Sequence, residues 1–183
     1  MAGRSELESL VEMAGSGSSA AWGRVYEHMA PSVFRLCRRL LLSQEDAEDA
    51  TSEVFLKARL HLGHYDSSRP FPPWLYRVAA NHCWDELRKR RGRREVDDPE
   101  PALAALEDEA PSPQDALLRL ENKDAMRRLI HELDERSRVA VVLRYFAEMS
   151  YEDIGQVLGL STTFVGVLLL RARRTMRKRL PTL

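Results

Sequence analysis

The sequence predicts an all-α protein of two small helical domains joined by an acidic linker, the second of them a helix-turn-helix domain. Three observations support this prediction. Apolar residues recur at helical spacing through most of the chain. A stretch rich in acids and proline interrupts that pattern, and such a composition cannot bury enough surface to fold alone. Near the end, two short helical patterns flank a glycine turn. We therefore expect domains at residues 1–94 and 114–183, with the linker at 95–113.

The charge of the chain is neutral in total but uneven along its length. The sequence has 28 basic and 28 acidic residues, so its net charge indicates no partner. Six cations lie within residues 88–94 and six within 171–179, whereas residues 95–118 hold eight acids and no lysine or arginine. The neutral total therefore conceals two basic surfaces on either side of an acidic spacer.

The sequence shows no signal for transport into or across a membrane. Residues 1–15 contain no apolar core segment, and no apolar run approaches the ~18–20 residues that a membrane helix requires. Cys37 and Cys83 lie inside helical patterns and form no CxxC pair. We expect buried, reduced thiols in a cytoplasmic protein. His61 and His64 lack an obvious carboxylate or thiol partner, so we predict neither a metal site nor a cofactor.

The first domain is predicted to begin with three helices. Leu10 and Val11 indicate a short first helix, which a glycine- and serine-rich break ends. Ser18 or Ser19 caps the second helix. Pro31 begins the third, because a proline in the first turn of a helix costs no hydrogen bond.

The next helix presents an acidic face. Ser43 caps it, and acids occupy its first turn. Asp46, Asp49, Glu53 and Lys57 are spaced by 3, 4 and 4 residues, so they share one side. Such a face usually serves solubility. A second interpretation makes Asp46 and Asp49 metal ligands of a nucleic-acid hydrolase, but no third ligand or general base is apparent.

A longer helix follows within residues 71–94. Pro73 suits its first turn, and no further proline or glycine occurs before residue 92. An apolar stripe at helical spacing forms its buried side: Leu75, Val78, Ala79, Cys83 and Leu87.

The opposite side of this helix carries polar and aromatic side chains. They are spaced by 4, 3, 4 and 3 residues and so lie along one face: Arg77, Asn81, Trp84, Arg88 and Arg91. Guanidinium groups bind phosphate, an amide can read a base edge, and an indole can stack on an unpaired base. The alternative is a solvated basic helix end that the helix dipole favours. These residues alone leave both interpretations open.

The second domain ends in two short helices. Before them, apolar residues at helical spacing predict a long helix that ends near residue 133. Ser150 opens a capping box in which Asp153 replaces the usual Glu. Gly159 ends that helix and Ser161 caps the last one, which finishes in arginine and lysine. This arrangement is typical of helix-turn-helix, although many helical hairpins share it.

Taken together, these segments resemble a bacterial RNA polymerase sigma factor of the extracytoplasmic-function subfamily of the sigma-70 family. DAEDATSEVFLKA resembles the helix that binds the clamp helices of the polymerase β′ subunit. RPFPPWLYRVAANHCWDELRKRR resembles the promoter-melting and −10 segment, and LDERSRVAVVLRYFAEMSYEDIGQVLGLS resembles the −35-binding domain. The resemblance covers roughly residues 20–94 and 114–180, and the three segments follow in the family's order.

The resemblance implies which residues bind the polymerase. Asp46, Asp49 and Glu53 match the acidic positions that contact the β′ clamp helices, and Ser52 stands where the family usually has Gln. The family also implies a contact with the β flap, and an acidic linker that runs toward the RNA exit path. It further implies promoter DNA as a ligand, no small-molecule substrate and no enzymatic activity.

The resemblance also implies which residues bind DNA. At the −10 element they are Arg77, Asn81, Trp84, Arg88 and Arg91, beside a base pocket formed by the loop at 64–73, with Trp74 mainly in the core. At the −35 element they are Thr162, Thr163, Arg171, Arg173 and Arg174.

The last helix departs from the family. Gly166 and Leu168 stand where the family typically has Lys and Arg. One interpretation is a rearranged domain core. A second is −35 recognition through the two threonines and apolar contacts with thymine methyl groups. A third is that the apolar segment from Phe164 to Leu170 docks on a protein, either an anti-sigma factor or the first domain. We favour the last two together over the first.

Small sigma factors of this kind are commonly held by an anti-sigma protein, so the resemblance implies one here. The alternative to a sigma factor is a two-domain helix-turn-helix regulator that acts without core polymerase. The acidic helix argues against that alternative, because such a regulator would not need this surface.

Overall fold

The computed structural model of the protein describes residues 6–91 and 128–179, and every regular element within them is helical. The chain divides into two compact units, Met1–Asp85 and Glu86–Leu183. The helices in chain order are α1 (Glu6–Gly15), α2 (Ser19–Leu41), α3 (Gln44–Leu60), a 3-10 turn (Leu62–His64), α4 (Phe71–Arg91), α5 (Glu135–Phe146), α6 (Tyr151–Leu158) and α7 (Thr162–Arg179). The predicted all-α fold class is confirmed.

Two predicted features lie wholly or mainly outside the described residues. The acidic linker at 95–113 is one of them, and the greater part of the long helix predicted before residue 133 is the other. Of that helix, residues 128–131 are described, and they are helical.

Serine side chains begin four of the helices, as the sequence predicts. In each case the hydroxyl oxygen accepts a hydrogen bond from the backbone N–H three residues later, at 3.1 to 3.3 Å. This bond satisfies one of the donors that a helix N-terminus leaves without an intrahelical partner. The capping residues are Ser18, Ser43, Ser150 and Ser161.

The break predicted at Pro31 does not occur. α2 runs without interruption from Ser19 to Leu41 and contains Pro31 in its interior. The proline removes one backbone donor, but Met29 and Val33 on either side of it are buried. Burial of these neighbours in the core outweighs the lost hydrogen bond, so one helix replaces the predicted two.

The first unit has a core of small side chains between long helices. Six alanine and cysteine residues of α2, α3 and α4 have no solvent-exposed surface: Cys37, Ala47, Ala58, Ala79, Ala80 and Cys83. Small residues let helix backbones approach closely. Near the amino-terminal end of α2, Trp22 and Tyr26 pack edge-to-face on Phe55 of α3, with ring centroids 6.0 and 4.7 Å away.

The second unit is built on α7, which packs against both α5 and α6. Its buried side includes two residues that we expected to bind DNA or a protein, since Phe164 is buried and Leu168 is only 4% exposed. The first interpretation of the family departure is therefore correct for these two side chains. Leu168 belongs to the core, and our preference for a docking or base-reading role was wrong here.

The turn between α6 and α7 requires two glycines. Gly159 has φ = 69°, the left-handed conformation that favours glycine, and it ends α6 as predicted. Gly155 is needed for another reason, because a Cβ there would lie 2.6 Å from the carbonyl oxygen of Leu160. The Leu160 N–H in turn donates to the Gly155 carbonyl at 2.9 Å, so the turn closes tightly on α6.

No single helix within residues 6–91 and 128–179 is both long and apolar enough to cross a membrane. The helices α6 and α7 meet the length and hydropathy limits only as a pair, and that pair is bent by 96°.

Two glycine-to-alanine variants test the α6–α7 turn. We expect Gly155→Ala to destabilise the protein by on the order of 2 kcal/mol, because the new methyl group must displace backbone. Gly166→Ala is the matched control, since its Cβ would meet only Tyr151, at 3.7 Å. Gly166→Ala should be neutral or stabilise by up to about 1 kcal/mol, as expected in a helix interior. Denaturant unfolding followed by circular dichroism measures both; equal midpoints would show that the turn tolerates a Cβ.

Candidate interfaces for protein and nucleic acid

The outward face of α3 carries exposed acids and exposed leucines. Asp49 and Glu53 are exposed and four residues apart. The same face continues toward the C-terminus of the helix with Leu56, which is 58% exposed, and Leu60, which is 79% exposed. Steps of 4, 3 and 4 residues keep all four side chains on one side of the helix. We call these four residues the α3 face.

The other predicted polymerase-binding residues lie beside the α3 face. Asp46 is partly buried in the first turn of the helix, where its backbone N–H donates to Ser43. Ser52 is exposed, and its hydroxyl donates to the carbonyl of Glu48 at 3.2 Å. The Ser52 hydroxyl already donates a hydrogen bond within its own helix. It therefore has less hydrogen-bonding capacity for a protein partner than the longer Gln amide that the family usually has at this position.

Lys57 does not belong to the acidic face on which its spacing placed it. Its Nζ lies 2.9 Å from Nδ1 of His82, a buried residue of α4. A lysine ammonium can only donate, so His82 Nδ1 accepts and the ring proton resides on Nε2. This hydrogen bond connects α3 to α4 and leaves the α3 face without a cation of its own.

The exposed side of α4 keeps part of the predicted DNA-binding set. Asn81 and Arg88 are exposed, seven residues apart and therefore on the same side of the helix. Arg77 is partly buried on the turn before them. Arg91 is the last residue of α4, and its side chain lies outside the described part of the structure.

Trp84 departs from the prediction, because its side chain is buried and only 5% exposed. It belongs to a row with Ala80 and Leu87, which are also buried. Residues three or four positions apart differ in direction by at most about 60° around the helix axis. The buried side of α4 therefore extends as far as Trp84. The spacing from Asn81 suggested the opposite side. In this conformation the indole cannot stack on a base.

The loop between α3 and α4 is anchored by three aromatic rings. The ring centroid of Tyr65 lies 5.3 Å from that of Phe71 and 5.4 Å from that of Trp74. Phe71 and Trp74 are 5.5 Å apart. Phe71 is fully buried and Trp74 partly so, which joins the loop to the start of α4.

Hydrogen bonds fix the turn of the same loop. The carboxylate of Asp66 accepts a hydrogen bond from the backbone N–H of Ser68 at 3.0 Å and lies 3.6 Å from Nε of Arg69. The hydroxyl and the backbone N–H of Ser68 lower the pKa of Asp66, and the charge of Arg69 acts in the same direction. The charged form of Asp66 favours both of these contacts within the loop.

The helix-turn-helix places its polar residues at the two ends of α7. Thr162 and Thr163 are exposed at the start of the helix, while Arg171 and Arg174 are exposed near its end. Arg173 is partly buried, and its Nε is buried without a hydrogen-bond partner among the described residues. The angle of 96° between α6 and α7 falls in the range typical of helix-turn-helix motifs.

Comparisons with known proteins identify the family. Residues 25–93 match the family model for sigma-70 region 2, and residues 123–176 match that for sigma-70 region 4. The RNA polymerase sigma-H factor of Pseudomonas aeruginosa is 31% identical over 187 residues, which cover 96% of this chain and 94% of that protein. The chain belongs to the sigma-70 family. This sigma factor is accordingly a transcription initiation factor that directs RNA polymerase to promoters, and it is not an enzyme.

One further relative carries the name of the extracytoplasmic-function group, and one solved structure shares the fold. The ECF RNA polymerase sigma factor SigW of Bacillus subtilis is 27% identical over 180 residues, 95% of this chain and 96% of that protein. A solved structure of CnrH in complex with the cytosolic domain of CnrY superposes with a TM-score of 0.60 at 26% identity, covering 93% of this chain and 94% of that one. The predicted family and the two-domain helical class are confirmed.

Sequence reasoning missed three features of these surfaces. The exposed leucines of the α3 face were detectable, because they extend the spacing of Asp49 and Glu53 by two further turns. The hydrogen bond from Lys57 to His82 and the aromatic contacts of Tyr65 join residues that are distant along the chain. No local pattern indicates such contacts.

Proposed function

We propose that the sigma factor binds core RNA polymerase through the α3 face, opens the −10 element with the exposed side of α4, and contacts the −35 element through α7. The domain boundaries belong to this proposal: a region 2 domain at 1–94, a linker at 95–113 and a region 4 domain at 114–183. The observation that carries the proposal is the α3 face. It combines two acids with the two most exposed leucines among the described residues.

The composition of the α3 face suits a helical protein partner with basic residues. Fully burying an exposed leucine contributes about 1.5–3 kcal/mol, so Leu56 and Leu60 supply binding energy. Asp49 and Glu53 supply orientation and rapid association with a cationic surface. By resemblance to the family, that surface is the pair of clamp helices of the β′ subunit. The β flap is the contact that the resemblance implies for the region 4 domain.

The exposed side of α4 is suited to capture a base from a melted strand. Unstacking a base costs a few kcal/mol, which the protein must return through contacts with the extruded base. Asn81 offers donor and acceptor groups to a base edge, and Arg88 offers a guanidinium to phosphate. With Trp84 buried, we assign capture to Asn81 and the anchored loop, and we give Trp84 a structural role.

Contacts with the −35 element are proposed for the exposed residues of α7. Thr162 and Thr163 lie at the amino-terminal end, where a recognition helix presents its side chains to base edges. Arg171 and Arg174 suit phosphates, which fix the orientation of the helix on the duplex. The proposal retains Arg173, although its guanidinium is partly buried. Gly166 and the buried Leu168 remove two cations from this surface, so we propose weak −35 binding by the region 4 domain alone.

A protein partner that holds the sigma factor inactive is also proposed. The relative CnrH was solved in complex with the cytosolic domain of CnrY. We propose an anti-sigma protein for this chain by analogy. We also place the sigma factor in the cytoplasm, where it meets polymerase and promoter DNA.

Charge reversal on α3 tests polymerase binding. Asp49→Arg with Glu53→Arg should weaken binding to core polymerase more than about a hundredfold, because two attractive contacts become repulsive. The matched control compares single variants, Glu53→Arg against Glu27→Arg, since Glu27 is an exposed acid on α2. Biolayer interferometry with purified core measures the affinities, and circular dichroism confirms helicity. Unchanged affinity in the folded double variant would contradict the assignment.

Alanine variants of α4 test promoter opening. Asn81→Ala should reduce open-complex formation more than polymerase binding. Arg88→Ala should weaken DNA binding and lower the salt slope by about one, as expected for one lost phosphate contact. Lys89→Ala is its matched control, because that ammonium lies 2.7 Å from Glu86 on another side of α4.

Trp84→Ala should act through stability instead, at a cost of roughly 3–5 kcal/mol. Permanganate footprinting of promoter thymines reports opening, and thermal unfolding reports stability. If Trp84→Ala leaves stability unchanged yet abolishes the footprint, the indole has the base-stacking role that the sequence suggested. An undiminished footprint with Asn81→Ala would remove this side of α4 from the melting surface.

A further inference from the structure

The hydrogen bond between Lys57 of α3 and His82 of α4 determines where a lysine charge lies. Nζ of Lys57 is 2.9 Å from Nδ1 of His82. The His82 side chain is buried, at 7% exposure, and Lys57 is partly buried. Because the ammonium can only donate, Nδ1 must keep its lone pair for this bond to exist. The bond therefore requires a neutral imidazole ring.

Glu53 is the alternative partner of Lys57. It is exposed and lies one turn before Lys57 on the same side of α3. A glutamate four residues before a lysine is the favourable order for an ion pair on a helix surface. In the described part of the chain, however, Lys57 bonds to His82 and makes no ion pair with Glu53. The buried ring thus keeps a cation away from an acid of the α3 face.

We propose that His82 is a pH-sensitive positioning residue that regulates the charge of the α3 face. The neutral ring holds Lys57 against α4, and Glu53 stays available to a cationic partner. Protonation of Nδ1 removes the acceptor and brings two cations together at 2.9 Å. Lys57 then turns to Glu53 and neutralises one of the two acids of the face. Only the effect on polymerase binding rests on the proposed function.

The other titratable groups around the pair do not reverse this effect. Of these, Glu86 favours a charged ring from one turn away on α4, but Nζ of Lys89 lies 2.7 Å from its carboxylate and offsets it. Burial of the ring and the charge of Lys57 both disfavour the imidazolium. The described titratable groups within one turn of the pair, on the 3-10 turn, or on the buried side of α2, which packs against α3, are Cys37, Glu53, His61, His64, Cys83, Asp85 and Glu86.

Proton linkage gives the direction of the expected pH effect on stability. In the unfolded chain the His82 ring takes up a proton near pH 6.5, the ordinary value for histidine, whereas the folded protein resists that proton. The stability that the neutral ring confers is therefore complete above about pH 6.5 and falls as the pH is lowered. The unfolding equilibrium constant should rise by up to about tenfold per pH unit.

Nuclear magnetic resonance of the full-length protein with 15N-labelled histidine tests the proposal without any substitution. We expect the Nε2–H tautomer for His82 at pH 7.5. We also expect this ring to remain neutral at pH values at which the exposed rings of His28, His61 and His64 are charged. A proton on Nδ1 at pH 7.5, or titration of His82 together with the exposed rings, would overturn the proposal.

Two variants test the consequence for the α3 face. His82→Asn keeps an acceptor near the position of Nδ1 but cannot titrate, and Lys57→Met removes the cation. Between pH 7.5 and pH 5.5, the affinity of the wild type for core polymerase should fall several-fold more than that of either variant. An equal fall in the wild type and in His82→Asn would contradict the regulation.

The two levels of the argument fail separately. If charge reversal at Asp49 and Glu53 leaves core binding unchanged, the proposed function is wrong. The tautomer and titration of His82 still decide where Lys57 lies, and they do so even if a variant does not fold.

Discussion

Close packing of α2, α3 and α4 through alanine and cysteine is the constraint on which the first unit depends. Cys37, Ala47, Ala58, Ala79 and Cys83 have no exposed surface, and a larger side chain at any of them would separate the helices. Because packing fixes the buried sides of the three helices, only their exposed sides are available to partners. On α3 the exposed side is the α3 face, and on α4 it is the narrow side with Asn81 and Arg88.

The same constraint determines which parts of the fold and the site were predictable. Helix starts follow from single side chains, so the caps at Ser18, Ser43 and Ser150 were predictable from the sequence. The acids of the α3 face were predictable as well, because charged residues at helical spacing mark the solvent side of a helix. Trp84 was not, because it lies at the edge of the buried side of α4. An aromatic side chain at such an edge can be buried or exposed, and its packing against neighbouring helices determines which of the two occurs.

Other failures have the same physical origin, which is that tertiary packing overrides local patterns. Pro31 would begin a helix in isolation, yet the buried residues around it hold α2 as one continuous helix. Leu168 matches a family arginine in sequence, yet α7 packs this position against its own domain. The departure from the family therefore places Leu168 in the core of the second domain and leaves α7 without two of the cations that the family typically has there.

The central claim is that this protein makes core polymerase initiate at particular promoters, and not that it binds DNA alone. Run-off transcription measures this most directly, with purified protein, core polymerase and fragmented genomic DNA as template. We expect discrete transcripts only when both proteins are present, with core alone giving none. DNA binding by the purified protein without any core-dependent transcript would contradict this claim, and would favour a helix-turn-helix regulator that acts without core polymerase.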